Sequence, residues 1–94
     1  MRRAKVDTNQ KAVVADLRKA GCSVALLHQV GKGVPDIVVG IAGINHLFEI
    51  KNPETRGKLN PDQVRWHEAW NGSVFTVTSA EEALRCMGME HRNG

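Results

Sequence analysis

Polar and apolar positions follow two periodic patterns along this chain, and the first pattern is that of a helix. Residues 8–20 carry an apolar stripe of Val13, Val14 and Leu17, and Gly21 comes directly afterwards. Residues three and four apart lie on the same helix face, and glycine commonly ends a helix. The pattern therefore predicts a first helix over residues 8–20.

Three further runs are typical of strands. The segments CSVALLHQV (22–30), HLFEIK (46–51) and SVFTVT (73–78) are rich in β-forming residues. A fourth run, DIVVG (36–40), has no polar alternation, which predicts a central strand covered on both faces. AGIN (42–45) predicts the turn of a hairpin that joins DIVVG to HLFEIK.

Capping signals predict the two remaining helices. Asn60 precedes a helix that extends through Trp70, since asparagine is a favoured N-cap. Ser79 and Glu82 are spaced as a capping box, which predicts a last helix over 80–87. The order is α-β-β-β-α-β-α, an α/β fold with helices around a small mixed sheet.

Length, charge and cysteine content narrow the class of protein. Ninety-four residues form one domain, whose core we place at about residues 8–87. The sequence predicts neither a membrane-spanning run nor a secretory signal. Cys22 and Cys86 do not form a close-spaced pair, which favours a reduced, intracellular setting. The net charge of +3 is compatible with a nucleic-acid partner but alone is weak support for one.

Three charged residues stand in or beside the most apolar region. Successive strand residues point to opposite faces, so Glu49 and Lys51 project from the same side of their strand. A hairpin through AGIN brings Asp36, at the entrance of the preceding strand, beside them. Two carboxylates held together need a shared proton or a metal ion.

This arrangement suits metal-dependent hydrolysis of a phosphodiester. Carboxylate oxygens are ligands for Mg²⁺ or Mn²⁺, and an adjacent lysine stabilises developing negative charge. A structural alternative is also open. Glu49 and Lys51 can form a cross-strand ion pair at the end of the sheet, with Asp36 as a helix or turn cap after Pro35.

The wider pattern GKGVPDIVVG, HLFEIKNP, GKLNPDQVRWHEAW and GSVFTVTSAEEAL resembles the VRR-NUC family, a branch of the PD-(D/E)XK nuclease superfamily. The resemblance extends from about residue 8 to residue 84. It implies a minimal restriction-endonuclease-like core with Asp36 and Glu49 as metal ligands. It further implies a metal contact from the Ile50 backbone carbonyl, a catalytic role for Lys51, and a place for Gln63 at the site.

The resemblance also implies an activity and a setting. A small stand-alone member is expected to be a Mg²⁺- or Mn²⁺-dependent endonuclease acting on DNA, with branched DNA such as Holliday junctions as a candidate substrate. Such a protein is expected to be a homodimer in the cytoplasm of a bacterial or phage-infected cell. We expect the twofold contact around Val14, Leu17 and Leu26. The alternatives are a catalytically inactive nucleic-acid-binding module and a non-enzymatic interaction domain.

Gln63 and the two tryptophans lie at positions i, i+3 and i+7 of one helix face. Gln63 either completes the helix cap with Asn60 or turns inward to the site. Trp66 and Trp70 are expected to pack in the core rather than to stack on bases.

The chain departs from the family pattern at its first helix. Many relatives carry an acidic residue there, whereas this chain has Asn9 and Gln10 within DTNQ. Gln10 is the candidate metal-site residue at this position. Asp7 lies too far toward the terminus to replace the missing carboxylate.

Loop cations and histidines complete the candidates. Lys32, Arg56 and Lys58 flank the proposed site, where they either contact phosphates or remain solvated. The glycines of GKG (31–33) predict a turn that lets a nucleic-acid backbone approach. The four histidines lack zinc-site spacing and are expected to be ordinary surface or core residues.

Overall fold

The computed structural model describes residues 8–55 and 58–89. The elements are α1 (Thr8–Lys19), β1 (Ser23–Leu26), β2 (Ile37–Ile41), β3 (Ile44–Ile50), a 3₁₀ turn (Pro53–Thr55), α2 (Pro61–Ala69), β4 (Val74–Val77) and α3 (Ala80–Cys86). The predicted α-β-β-β-α-β-α order and the α/β fold class are therefore confirmed. No helix in the described ranges is long and apolar enough to cross a membrane.

The four strands form one mixed sheet in the order β1-β2-β3-β4. Neighbours are antiparallel except for β3 and β4, which are parallel. The β2–β3 hairpin closes through two residues, Ala42 and Gly43, both at positive φ (52° and 80°). Positive φ at both central positions is the geometry that matches the twist of paired strands. The predicted turn is confirmed, and β3 begins two residues earlier than expected.

One face of the sheet carries the core. Helices α1 and α3 contact each other and cover this face, which presents Ile37, Val39, Phe48 and Ile50. The other face is only partly covered, because α2 buries none of its residues and Val38 and Leu47 remain half-buried. The prediction that β2 is covered on both faces is therefore correct for one face only.

Two further predictions need correction. Strand β1 is limited to residues 23–26, and residues 28–30 form a turn. Val14 and Leu17, proposed for a twofold contact, are 6% and 0% exposed. They belong to the core and cannot contact a second chain, whereas Leu26 is 49% exposed.

The cap of α3 also differs from a full capping box. Ser79 accepts a hydrogen bond from the Glu82 amide (3.1 Å), as predicted. The Glu82 carboxylate, however, accepts from the Thr78 amide (2.6 Å) rather than from that of the N-cap residue. The side chain reaches one residue further back, where it also contacts the Thr78 hydroxyl.

Both described cysteines are free thiols, Cys22 buried and Cys86 exposed. Burial raises the pKa of Cys22 above its ordinary value. The two thiols are unpaired, in agreement with the lack of a close-spaced cysteine pair in the sequence.

Candidate active site

Asp36 lies where β2 meets β3, and its carboxylate is engaged there. Its Oδ2 accepts a hydrogen bond of 2.7 Å from the backbone amide of Ile50. Its own backbone donates to Phe48 O (3.0 Å) and accepts from the amide of Leu27 (2.7 Å). Asp36 is thereby held between two strands, directly beside the Glu49-Ile50-Lys51 segment. Neither a helix cap nor a turn cap describes it.

Glu49 is buried and is contacted by the first turn of α2. The residue is only 3% exposed. Gln63 Nε2 donates to Glu49 Oε2 at 2.9 Å. A buried carboxylate needs such donors, because burial without a partner is costly.

The Gln63 amide makes two contacts at once. Its Oε1 accepts from the backbone amide of Asn60, while the backbone amide of Gln63 donates to Asn60 Oδ1, each at 2.9 Å. This is a complete capping box. Because the amide oxygen is occupied by a donor, the NH₂ group must point toward Glu49. Both interpretations of Gln63, cap and inward-facing residue, are therefore correct.

Lys51 follows directly after β3, and its side chain is only 17% exposed. Its Nζ lies 4.0 Å from Glu49 Oε2. Its backbone amide donates to Val77 O (2.9 Å), which continues the parallel pairing with β4. The ammonium group thus stays beside the buried carboxylate.

The first helix contributes Asn9 to this region. Asn9 Nδ2 donates to the carbonyl oxygens of Lys51 and Thr78, each at 2.9 Å. The amide therefore ties the ends of β3 and β4 to α1. Asn9 lies in the helix where the family pattern predicts a carboxylate, but its side chain binds two backbone carbonyls instead.

Gln10, the neighbouring candidate, is 5% exposed. It lines a pocket of about 320 Å³ between α1 and the end of β1, together with Lys11, Val14, Ala15, Arg18, Leu26 and His28. None of the hydrogen bonds found in residues 8–55 and 58–89 joins its side chain to Asp36 or Lys51. Its role at a metal site stays a prediction.

His67 is a neighbour of the site that the sequence interpretation missed. It lies one helical turn after Gln63, on the same face of α2. Burial lowers the pKa of His67 below its ordinary value, and the charge of Lys51 lowers this pKa further. Its Nε2 is enclosed without a hydrogen-bond partner among the described residues. The i, i+4 spacing from Gln63 was the available signal.

Gly33 has a different role from the one predicted. It has φ +84°, and an added Cβ would lie 2.7 Å from the Asp62 carbonyl carbon and 3.2 Å from the Gln63 nitrogen. Its missing side chain therefore lets the first turn of α2 pack against the loop. The close approach is made by the protein's own backbone.

The loop cations lie along the chain near this contact. Lys32 is exposed and adjacent to Gly33, and Lys58 is exposed two residues before the Asn60 cap. Arg56 lies outside the described residues. Phosphate contacts by these three residues stay a prediction.

Trp66 and Trp70 do not enter the core. Trp66 is half-buried, and Trp70 is 45% exposed. Their rings stack on each other with centroids 4.7 Å apart and planes 18° apart. The core prediction is wrong because α2 faces the site through Gln63 and His67, whereas the two tryptophans pack on each other at the end of the helix.

The donor set around Asp36 and Glu49 fits a Mg²⁺ or Mn²⁺ ion better than zinc. Among residues 8–55 and 58–89, no group of three or more His, Cys, Asp or Glu side chains could hold a metal. Mg²⁺ uses only one or two carboxylates and keeps waters or phosphate oxygens. The amide and carbonyl of one strand residue face the same edge, so the Ile50 carbonyl faces the side of Asp36. Two carboxylates and one carbonyl are thus available.

Comparison with known proteins gave one informative match. The sequence matches no family model and no curated protein. A solved structure described as a VRR_NUC domain is 26% identical to this chain, with a TM-score of 0.66. The match covers 88% of this chain and 94% of the solved one. With the Pro-Asp and Glu-Ile-Lys motifs meeting at the end of β3, this match shows that the chain has a PD-(D/E)XK-like core similar to that of a VRR_NUC domain, and it supports the predicted resemblance to the VRR-NUC family.

Proposed function

We propose that this chain is a divalent-metal-dependent nuclease that hydrolyses phosphodiester bonds of DNA. The observation that carries the proposal is the convergence of Asp36, Glu49 and Lys51 at the end of β3. Asp36 reaches the Ile50 amide at 2.7 Å, and Lys51 Nζ lies 4.0 Å from Glu49. The structural similarity to a VRR_NUC domain supports the same activity.

Each residue of the site has a distinct task in this proposal. Asp36, Glu49 and the Ile50 carbonyl would hold Mg²⁺ or Mn²⁺, and the bound ion would neutralise phosphate charge and make a water more acidic. Lys51 stabilises the negative charge that develops on the phosphate oxygens. Gln63 keeps the Glu49 carboxylate in one orientation.

Asn9 and the buried setting support the position of Lys51. The backbone carbonyl of Lys51 accepts a hydrogen bond from Asn9, so the Lys51 side chain is attached to a fixed backbone position. A long lysine side chain that is only 17% exposed has few alternative rotamers. Preorganised charge of this kind costs no rearrangement when the transition state forms.

A cleavage assay tests the proposal. Purified protein is incubated with linear, flapped and four-way DNA in Mg²⁺, Mn²⁺ or EDTA. Lys51→Ala is expected to lower the rate by about 10²- to 10³-fold, the usual effect of losing one charge-stabilising group. Lys19→Ala, an exposed lysine at the end of α1, is the matched control. Cleavage in EDTA, or full activity of Lys51→Ala, would contradict the proposal.

The finer substrate class also belongs to the proposal. We infer a homodimer that acts on branched DNA such as four-way junctions in the cytoplasm of a bacterial or phage-infected cell. Symmetric cutting of two junction strands needs two sites related by a twofold axis. Light scattering should then report twice the chain mass of 10.3 kDa. A monomer that only nicks DNA would contradict the symmetric cutting of four-way junctions and leave the nuclease assignment intact.

One observation favours a second candidate, a nucleic-acid-binding module without catalysis. At the position where an acidic residue was sought, α1 presents the amide of Asn9, and this amide is occupied by backbone carbonyls. Calorimetric titration with Mn²⁺ separates the two candidates. A nuclease should bind the ion and lose binding in Asp36→Asn, whereas a simple binding module should not bind it.

A further inference from the structure

The outer half of α2 exposes an aromatic surface that the proposed chemistry does not use. Trp66 and Trp70 form a face-to-face stack, defined here as the tryptophan stack. The backbone amide of Trp70 donates to Trp66 O at 3.1 Å, which fixes the second residue at the helix end. Gly72 packs against the second ring, since an added Cβ would lie 2.9 Å from Trp70 Nε1.

This stack is partly open to solvent. Trp66 covers one face of the Trp70 ring, yet Trp70 remains 45% exposed. Fully burying a tryptophan removes up to about 250 Å² from water, so roughly 110 Å² of Trp70 stays accessible. Two partners in a stable interface each bury about 800 Å². The patch is therefore too small for a stable twofold contact, but it matches a single planar base.

The stack lies on the same helix face as the site. Gln63, Trp66 and Trp70 follow each other at i, i+3 and i+7. With a rise of about 1.5 Å per residue, the backbone positions of Trp66 and Trp70 lie about 4.5 Å and 10.5 Å along the helix axis from Gln63. Gln63 itself contacts Glu49 at 2.9 Å. A strand that reaches the site would pass the stack within a few nucleotides.

The cations that suit a nucleic acid come from the loops before β2 and α2, since the helix itself carries exposed Asp62 and Glu68 beside Arg65. Exposed Lys32 and Lys58 lie at the start of α2, where the strand would continue toward the site. Arg65, between the two ends of α2, has a side chain that is 70% exposed and forms an ion pair with Asp62. Cations that neutralise phosphates, next to an aromatic platform, are the two components of single-strand binding surfaces.

We propose that the tryptophan stack is a docking platform on which an unpaired base of a DNA strand stacks beside the site. The proposal rests on the nuclease function for its choice of ligand, and it extends that function to recognition of unpaired bases. Stacking does not select a particular base, since every base has a planar face. The platform therefore favours frayed, flapped or branched DNA over continuous duplex.

Tryptophan fluorescence tests this directly, because the chain has only two tryptophans and both form the stack. Protein in EDTA is titrated with a thymidine 12-mer and, separately, with the duplex of that strand. We expect the single strand to quench the emission and the duplex to leave it nearly unchanged. EDTA prevents metal-dependent cleavage, so binding is read independently of catalysis.

Variants separate stacking from simple helix stability. Trp70→Ala should weaken single-strand affinity by roughly 5- to 150-fold, the range that one stacked base is worth. Trp70→Phe keeps a ring and should restore most of the affinity. Gly72→Ala keeps both tryptophans but displaces the second indole, and should also weaken binding. Val64→Ala, 38% exposed on the same helix, is the matched control with no expected change.

Each outcome decides one assignment. Equal single-strand affinity of Trp70→Ala and the unchanged protein, measured with a labelled strand, would overturn the platform while metal-dependent cleavage remained. A blue shift of the tryptophan emission that grows with protein concentration in the absence of DNA would show a second copy on the stack and overturn the platform as well, whereas a doubled mass alone would not. Quenching by single strands with no cleavage in Mn²⁺ would support the platform and reject the nuclease function.

Discussion

Gln63 is the residue on which the site and the local fold both depend. Its amide oxygen belongs to the helix cap, and its amide nitrogen belongs to Glu49. The cap orients the amide, and the amide in turn orients the carboxylate. A residue with two such roles can be dissected, because the chain offers substitutions that remove one contact at a time.

Gln63→Glu should keep the cap and lose the contact to Glu49. Glutamate can accept from the Asn60 amide as glutamine does, but it cannot donate to a carboxylate. We expect cleavage to fall by about 10²-fold, in line with the loss of one preorganised group. Asn60→Ala is the matched variant: it should cost about 1 kcal/mol in the free energy of unfolding, with cleavage nearly unchanged. Rates and urea denaturation measured on both variants check this, and the opposite pattern would contradict it.

His67 allows a prediction about pH. Its pKa is lowered first by burial and second by the charge of Lys51. Lys51→Met should therefore raise the pKa of His67 while leaving it below the ordinary value of 6.5. Titration of the imidazole by NMR measures this, and an unchanged pKa would show that the two groups do not interact.

The sign of the stability effect follows from the lowered pKa. The unfolded chain binds a proton at His67 more readily than the folded chain does, so folding is disfavoured by protonation. The contribution is fully present above pH 6.5 and is lost as the pH falls from there through the lower folded pKa. In His67→Asn the fall in stability over this window should be smaller.

At the scale of elements, two turns determine how the strands and α2 meet. The β2–β3 turn sets the register that carries Asp36 to the Ile50 amide. The loop before β2 contacts the start of α2 through Gly33. Both turns contain residues at positive φ, and in the β2–β3 turn one of these residues is Ala42.

Ala42 has φ 52°, a conformation that costs a residue with a Cβ roughly 1 kcal/mol or more. Ala42→Asn should stabilise the hairpin, because Asn-Gly is the preferred pair for this turn. We expect Tm to rise by a few degrees, since 1 kcal/mol corresponds to about 4–8 °C in a domain of this size. Ala42→Val, a β-branched residue at the same position, should lower Tm. Equal Tm values for the two variants would contradict the assigned turn.

Gly33→Ala should separate α2 from the loop. The added Cβ would meet the Asp62 carbonyl and the Gln63 nitrogen, which are backbone atoms and cannot rotate away. The helix start must shift, and the Gln63–Glu49 hydrogen bond should lengthen or break. We expect lower stability together with weaker cleavage. Gly31→Ala is the control, because it has similar φ (+77°) but nothing within 4 Å of the added Cβ.

At the scale of the whole molecule, a mild positive charge must be concentrated to bind DNA. The net charge is +3, so long-range attraction is modest. The exposed cations Lys32 and Lys58 lie near the start of α2, close in sequence to residues that contact Gln63. Affinity should therefore depend on a few local phosphate contacts.

Salt dependence counts those contacts. The logarithm of affinity should fall linearly with the logarithm of salt concentration, with a slope of about −0.9 per neutralised phosphate. Lys32→Ala and Lys58→Ala should each reduce the slope by about 1 and leave base preference unchanged. Lys19→Ala should keep the full slope. Affinity that does not vary with salt would contradict the proposed phosphate contacts.

The sequence by itself determined the features that depend on neighbouring residues. Helix and strand order, a turn within AGIN and the Asn60 cap all follow from short-range spacing and turn chemistry. The placement of Asp36 beside the Glu-Ile-Lys segment also followed, because a hairpin with a short turn has little freedom of register. These predictions needed no knowledge of distant contacts.

Only the tertiary structure decided which polar groups meet across the chain. The Asn9 amide reaches carbonyls 42 and 69 residues away, and no local pattern specifies those partners. The exposure of Trp70 and the burial of Leu17 depend on which helices cover the sheet. Amphipathic spacing identifies an apolar helix face but not the surface that it contacts, because packing is set by the whole fold. For α2 the face turned to the site carries Gln63 and His67, and the tryptophan stack at the helix end stays partly open to solvent.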